Sequence, residues 1–329
     1  MDKQLQQIKN KIGFVVLIIT VSVLSACSAV VDDKSDCKDE CRIHFKYDYN
    51  MKFADAFANE VEQVDLYVFD DKGSFVKKLT DKGNALKNDG YYMKLNLSPG
   101  KYHLVAWGGL DGESFSTDSL TSASTLNDLK VALKSTDQKS DKDLHPLWHG
   151  EVNEINITGT FQEQTISLTK DTHRVRVVLQ QINGDSVDNK AFRFEITDDN
   201  SLINYGNSLI SNGVITYSPY ITGQNTVGDV QPVTTAYAEM HTGRLMADSK
   251  SRLRIYKVAD NSLIVDIPLV AYLMLTEMEG HKNSMTEQEY LDRQDEYSLV
   301  FFLDKNQFWL KVQIIVNGWT IRYNSSNLG

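Results

Sequence analysis

No apolar run in this 329-residue chain reaches the roughly 20 residues that a bilayer core requires. Basic residues are in deficit: 34 Lys and Arg stand against 44 Asp and Glu, a formal net charge of −10. That balance argues against nucleic acid, or an anionic lipid surface held through a basic patch, as a partner. Cysteine is scarce at three residues, too few for a disulfide-framed scaffold. The common catalytic signatures are missing as well, with no Gly-x-Ser-x-Gly elbow, His-Glu-x-x-His, Gly-x-x-x-x-Gly-Lys or dinucleotide fingerprint. Paired carboxylates for glycoside hydrolysis meet in space rather than in sequence, so no pattern speaks for them. The sequence therefore reads as a non-enzyme without cofactor or metal.

What is present begins at the N-terminus. Lys3, Lys9 and Lys11 precede a short apolar stretch, Gly13 to Leu24, which runs into Ser25, Ala26 and Cys27. A basic segment, a hydrophobic segment of this length and small residues make a secretory signal rather than a membrane span. The run Leu24-Ser25-Ala26-Cys27 reads as a lipobox, with cleavage between Ala26 and Cys27 and a diacylglycerol on the Cys27 thiol. Each acyl methylene placed in a bilayer contributes about 0.8 kcal/mol, so two or three chains hold far more firmly than one. The mature chain of 303 residues would carry a formal charge of −12, since the signal takes three lysines and one aspartate with it. An exported setting lets disulfides persist. Cys37 and Cys41 are candidates for a bridge if Lys38-Asp39-Glu40 forms a turn, because an extended strand would hold them about 13 Å apart.

Length suggests two domains. The expected division is 1–26 signal peptide, 27–40 lipidated tether, 41–170 first domain and 171–329 second domain. Period-two alternation dominates both halves. Val64, Leu66 and Val68 alternate within Glu62 to Asp70, Asp71-Lys72-Gly73 gives a turn, and Ser74 to Leu79 returns. Met93, Leu95 and Leu97 form a further strand, and Pro99-Gly100 turns into Lys101 to Trp107. In the second half, strands are expected at Val175 to Leu179, Phe192 to Thr197, Val233 to Met240, Arg252 to Val258, Leu263 to Leu269, Tyr297 to Leu303 and Trp309 to Val316. Asn317-Gly318 is a strong hairpin signal that should fold Trp319 to Tyr323 back. Short helices are expected from Met51 to Val61, from Leu126 to Leu133 and, behind a Thr286 capping box, from Glu287 to about Glu296. Asp111 to Lys142 carries few large apolar residues and reads as a surface excursion. The pattern is that of an all-β chain of antiparallel β-sandwich domains.

Several residues invite a chemical reading. His145 and His149 have metal-ligand spacing, but Pro146 argues against the helix that would align them. Asp70-Asp71-Lys72-Gly73 and Asp198-Asp199-Asn200 lack calcium-loop spacing and read as turns. Tyr91, Tyr92, Trp107, Trp148, Tyr205, Tyr217 and Tyr220 could line a glycan or protein surface, although aromatics at alternating strand positions are more often core. Asp118-Ser119-Leu120 and Asp185-Ser186-Val187 fit a short O-glycosylation acceptor pattern of Bacteroidetes-type bacteria.

Three stretches of the first half resemble a known family. They are Phe45 to Phe57 (FKYDYNMKFADAF), Val64 to Asp70 (VDLYVFD) and Gly100 to Leu110 (GKYHLVAWGGL), and they are similar to the FimB-like fimbrial anchor lipoproteins of Bacteroidetes-type bacteria. The second half resembles that family in length and strand pattern only. The resemblance implies two tandem transthyretin-like β-sandwich domains, a lipidated N-terminus in the outer membrane, surface exposure, and a place at the base of type V fimbriae. It further implies partnership with fimbrial shaft pilin subunits by strand complementation, in which a groove accepts a neighbour's strand. Shaft subunits of that family open the groove when a protease, often arginine-specific, removes the first strand, whereas anchors keep it. No arginine lies between Arg42 and Arg174 in this chain, which favours an anchor. The first domain is then self-complemented, and assembly falls to the second domain through its C-terminal hairpin. The alternatives are a surface lipoprotein that binds a glycan or host ligand, and a fimbrial tip adhesin.

Overall fold

A computed structural model of the protein describes residues 40–88, 90–227, 232–277, 284–316 and 319–325, with side chains to 310 in the last strands. The all-β expectation holds. Eleven strands precede the midpoint link: β1 (Cys41–Lys46), β2 (Gln63–Asp70), β3 (Phe75–Lys82), β4 (Met93–Leu95), β5 (Gly100–Gly108), β6 (Phe115–Thr117), β7 (Lys130–Leu133), β8 (Lys139–Ser140), β9 (Trp148–Ile157), β10 (Gln162–Ser167) and β11 (Thr169–Lys170). Eleven follow: β12 (His173–Gln181), β13 (Phe192–Asp198), β14 (Leu202–Asn204), β15 (Ile215–Tyr217), β16 (Ile221–Val227), β17 (Val233–Thr242), β18 (Arg252–Lys257), β19 (Leu263–Pro268), β20 (Glu296–Leu303), β21 (Trp309–Val316) and β22 (Trp319–Ser325). The helices are α1 (Phe57–Glu60), α2 (Leu269–Met274) and α3 (Glu287–Arg293).

The first sandwich packs a sheet of order β10-β1-β4 on a sheet of order β11-β9-β5-β2-β3. Its core holds Ile43, Phe45, Val64, Leu66, Val68, Leu104, Ala106 and Trp148. The five-stranded sheet is apolar on both faces. Tyr67 and Phe69 of β2, and Val105 and Trp107 of β5, point the other way into a second and larger core. That explains why Val64 to Phe69 are all buried although period two predicts one wet face.

The second sandwich packs a sheet of order β16-β17-β12-β20-β21-β22 against one of order β19-β18-β13-β15-β8. Val175, Val177 and Leu179 alternate inward from β12 as their spacing requires. Three strands of this assembly come from the first half of the chain. β8 pairs with β15, and β6 and β7 form a small sheet with β14. The expected surface excursion at Asp111 to Lys142 is thereby corrected: Phe115, Leu129, Val131 and Leu133 are buried in the second core. Four well-spaced apolar side chains are enough once a neighbour supplies the facing layer.

The helices are shorter than expected. Only Phe57–Glu60 of the Met51 to Val61 stretch is helical, because Phe53 sits at φ 52 and breaks the run. Leu126–Asp128 is a single 3-10 turn closed by a Thr125 and Asp128 capping box, after which Lys130–Leu133 is strand. Thr286 caps α3 as expected, its hydroxyl accepting from the Glu289 amide. The C-terminal hairpin folds back, with Val316 opposite Trp319; its Asn317-Gly318 turn lies outside the described residues.

Candidate functional site

The first strand is the position to test, because its presence or removal would decide whether the first sandwich is closed. β1 is the middle strand of its sheet. It runs parallel to β10 from Cys41 opposite Gln162 to Lys46 opposite Ser167, and antiparallel to β4 from Cys41 opposite Leu95 to Ile43 opposite Met93. Cys41, Ile43 and Phe45 point into the core at 2%, 0% and 6% exposure, and Tyr47 follows at 2%. Burying each large apolar side chain contributes about 1.5–3 kcal/mol relative to leaving it in water. Phe45 stacks against Phe57 and Tyr91 at centroid distances of 5.7 and 6.2 Å, and those two rings lie 6.0 Å from each other.

The outward residues of β1 are tied down by charge. Arg42 donates to Glu40 at 2.8 Å, and Lys94 reaches the other Glu40 oxygen at 2.9 Å. These hydrogen bonds, Arg42 first, hold the Glu40 carboxyl below its usual pKa. The Arg42 guanidinium lies over the Tyr92 ring at 4.3 Å and the Phe161 ring at 5.0 Å. Its peptide bond to Ile43 sits in a strand paired on both sides, so a protease needs local unfolding to reach it. Cys41 is buried, and burial raises its thiol pKa. Its candidate partner Cys37 lies outside the described residues, as do Ala26 and Cys27.

Strand order also places the open edges. β22 and β16 border the six-stranded sheet, and their outer main-chain groups lack a strand partner among the described residues. β3 is an edge too, but it carries Lys77, Lys78 and Lys82, the charged side chains that discourage pairing.

Between the sandwiches lies a junction that no sequence pattern announced. Arg244, buried, donates to both Asp292 oxygens at 3.0 and 2.9 Å and to the Asn207 carbonyl. Asn207 in turn donates to Asp171 at 3.0 Å. Burial pushes the Asp171 carboxyl up to about 7, against the opposing pull of Arg244. Around this centre, Lys170 bridges Glu60 at 3.2 Å and Asp295 at 2.6 Å. Arg293, at the end of α3, covers the Tyr49 and Phe53 rings at 3.9 and 4.8 Å, and its carbonyl accepts from the Met51 amide. Each of these charges was visible as a residue; their convergence depends on chain reversals far apart in sequence.

The other candidates separate. His145 is exposed and bonds Asp111 at 2.5 Å, a partner 34 residues away. His149 is buried on β9 and donates from Nε2 to the Tyr205 carbonyl at 2.7 Å, so the two imidazoles serve different elements. Asp70 accepts from the Lys72 and Ser74 amides, a turn closed by Gly73 at φ 77. Asp199 accepts from the Asn212 amide at 2.9 Å and from Ser211. Trp107, Trp148 and Tyr217 are core residues, which removes them from any ligand surface. Tyr91, Tyr92, Tyr205 and Tyr220 are half-buried, while Ser119 and Ser186 are exposed in loops.

Solved structures share this architecture. A candidate adhesin from Bacteroides thetaiotaomicron is 39% identical, with a TM-score of 0.80 over 88% of this chain and 99% of that one. A protein of the same species, described as a candidate polysaccharide-binding protein, is 36% identical with a TM-score of 0.78 over 88% and 99%. The fimbrial anchor protein Mfa2 of Porphyromonas gingivalis is 16% identical and shares the fold at a TM-score of 0.68 over 88% and 100%. Among curated proteins none matches the chain significantly. A sequence model of the fimbrillin-A associated anchor proteins Mfa1 and Mfa2 matches residues 34–325, and the chain belongs to that fimbria-associated family.

Proposed function

We propose that the protein is a non-enzymatic lipoprotein of the outer membrane that anchors a surface fimbria, and limits its length, by strand complementation with a pilin. The observation that carries this reading is the seat of β1, an apolar strand held between β10 and β4. A subunit whose first strand is already paired on both sides offers no groove there, so growth stops at it. The open edge of the C-terminal hairpin is then the side on which the pilin pairs, main-chain hydrogen bonds supplying affinity and alternating side chains the register. Acylated Cys27 and the tether to residue 40 supply the fixed end. Replacing Cys27 with Ala should release fimbriae into the medium; cells of that variant that keep a normal fimbrial coat would refute the reading.

One observation favours ligand binding as a second reading. A cleft of about 700 Å³ between Asp198, Asp199, Asp248, Arg252 and Arg254 has the size of a small-molecule site. Binding on a glycan array that is lost in Asp199→Ala, with no pilin co-purifying, would shift the weight to it.

A further inference from the structure

The path of the chain gives the molecule two ends. β1 and β10 run in parallel from Cys41 and Gln162, beside the tether, to Lys46 and Ser167. The loop just beyond β1, at Asp48 to Met51, meets Arg293 at the junction. From the junction, β12 leads away from His173 to Gln181 in parallel with β20, about 30 Å at 3.3 Å per residue. The far end of the second sandwich is therefore the part of the molecule remote from residue 40.

Five of the ten large hydrophobic residues exposed among the described residues gather at that end: Ile182, Val258, Leu263, Phe308 and Leu310, at 38–59% exposure. Local contacts tie them to one surface. The Ile182 amide donates to the Leu303 carbonyl, and Leu303 faces Trp309 across β20 and β21. Lys257 donates from Nζ to the Asn306 carbonyl at 2.5 Å and lies 4.3 Å above the Phe308 ring. Val258 follows Lys257 directly, and Leu263 opposes Tyr256 in the hairpin of β18 and β19. Single exposed apolar residues need no explanation, but five on one end mark an interaction surface.

The neighbouring backbone identifies the kind of occupant. β22 ends at Ser325 opposite Lys311, two residues short of the register of Trp309, so the open edge of the six-stranded sheet runs up to this apolar end. A row of alternating N–H and C=O groups is matched by an extended polypeptide, and neither a lipid nor a glycan repeats at that spacing. We propose that the far apolar end, continuous with the β22 edge, is the docking face for the fimbrial subunit, which adds a strand to β22 and covers Val258 and Phe308 with apolar side chains of its own. This rests on the anchoring reading above and names the surface that it needs.

The test is a Val258→Lys, Phe308→Lys double variant expressed in fimbriated cells, with Val76→Lys on the β3 edge as control. Both sites are exposed, so thermal unfolding of the purified variant should match that of the parent, and the variant should fractionate with the outer membrane. The expected result is at least a tenfold loss of cell-retained fimbriae in the double variant and none in the control. Retention within twofold of the parent, with the double variant in the membrane fraction, overturns the docking face. A dimer of the purified parent that the same substitutions dissolve overturns it too, since a second copy would then be the occupant. The anchoring reading fails separately, when Cys27→Ala cells keep their fimbriae.

Discussion

The first sandwich closes on itself, whereas the second is completed by the first half of the chain. Every residue of the smaller core lies between Cys41 and Leu168. The larger core draws Tyr67, Phe69, Val105 and Trp107 from one face of the first sandwich and Phe115, Leu129, Val131 and Leu133 from the segment that crosses over. Under the anchoring proposal this asymmetry has a mechanical use. Pull applied to the second sandwich is shared with the first through a continuous apolar layer rather than through the Lys170-Asp171 link alone.

Separating the two halves of the chain should have the largest effect. A fragment of residues 171–329 lacks β6, β7 and β8, and bares the side chains they covered. It should show no cooperative thermal transition by circular dichroism and should regain one when residues 41–170 are co-expressed. A fragment that melts cooperatively by itself, at the temperature of the whole chain, would mean that the crossing segment is dispensable.

Point substitutions should act differently at the junction and in the first core. Arg244→Leu leaves Asp292 and Asp171 buried beside no cation, and breaking a buried pair in this way costs about 3–5 kcal/mol. Denaturant titration should report that loss in a transition common to both sandwiches, because the pair sits where they meet. Ile43→Ala removes a fully buried side chain from the first core and costs about 2–5 kcal/mol. Its loss should appear first in probes of the first sandwich, such as hydrogen exchange of β1 and β10 amides.

Acid should act on the junction next. Burial depresses the His149 pKa to about 4, and also lowers those of His173 and His241. A histidine whose folded pKa lies below its unfolded value near 6.5 binds a proton more readily when unfolded, so stability falls as pH drops from about 6.5 toward 4. For His149 the full loss is about 3 kcal/mol. Asp171, raised to about 7, works in the opposite direction: the folded chain keeps its proton, and stability falls as pH rises from about 4 to 7. His149→Gln should therefore flatten the acid limb of a stability profile, and Asp171→Asn should steepen it by removing the compensating group. An unchanged acid limb in His149→Gln would place the sensitivity elsewhere.

Much of this fold was legible because alternation is local. Val175, Val177 and Leu179 declare their strand without knowledge of any neighbour, and Thr286 declares its helix. The crossing segment was illegible for the converse reason. Leu129 and Val131 are too sparse to imply a core until β14 pairs beside β7 and the second sandwich covers their apolar side. The strand register that seats β1 between β4 and a parallel β10 leaves no trace in spacing either, although the family resemblance implied that β1 is retained. The junction is the hardest case, since Asp171, Asn207, Arg244 and Asp292 are each unremarkable polar residues next to turns or helix ends. Only chain reversals spanning 121 positions between Asp171 and Asp292 bring them within hydrogen-bond reach.

The smallest expected effect isolates the first strand from everything else. Arginine is nearly confined to the second half, with Arg42 alone before Arg174. Arg42→Lys keeps the charge beside Glu40, and a substitution at such a partly exposed position changes stability by about 0.5 kcal/mol or less. It nevertheless removes the arginine nearest the start of β1. Exposed to an arginine-specific protease, the parent should lose residues before Ile43 at a rate set by how often β1 leaves its sheet. The Ile43→Ala variant should be cut faster by a factor that matches its lost stability, because opening of β1 is what both measurements read. Arg42→Lys should not be cut there at all. Cleavage of the parent as fast as that of Ile43→Ala would mean that β1 leaves its sheet without resistance. The closed first sandwich would then be no more sealed than one whose strand has been removed.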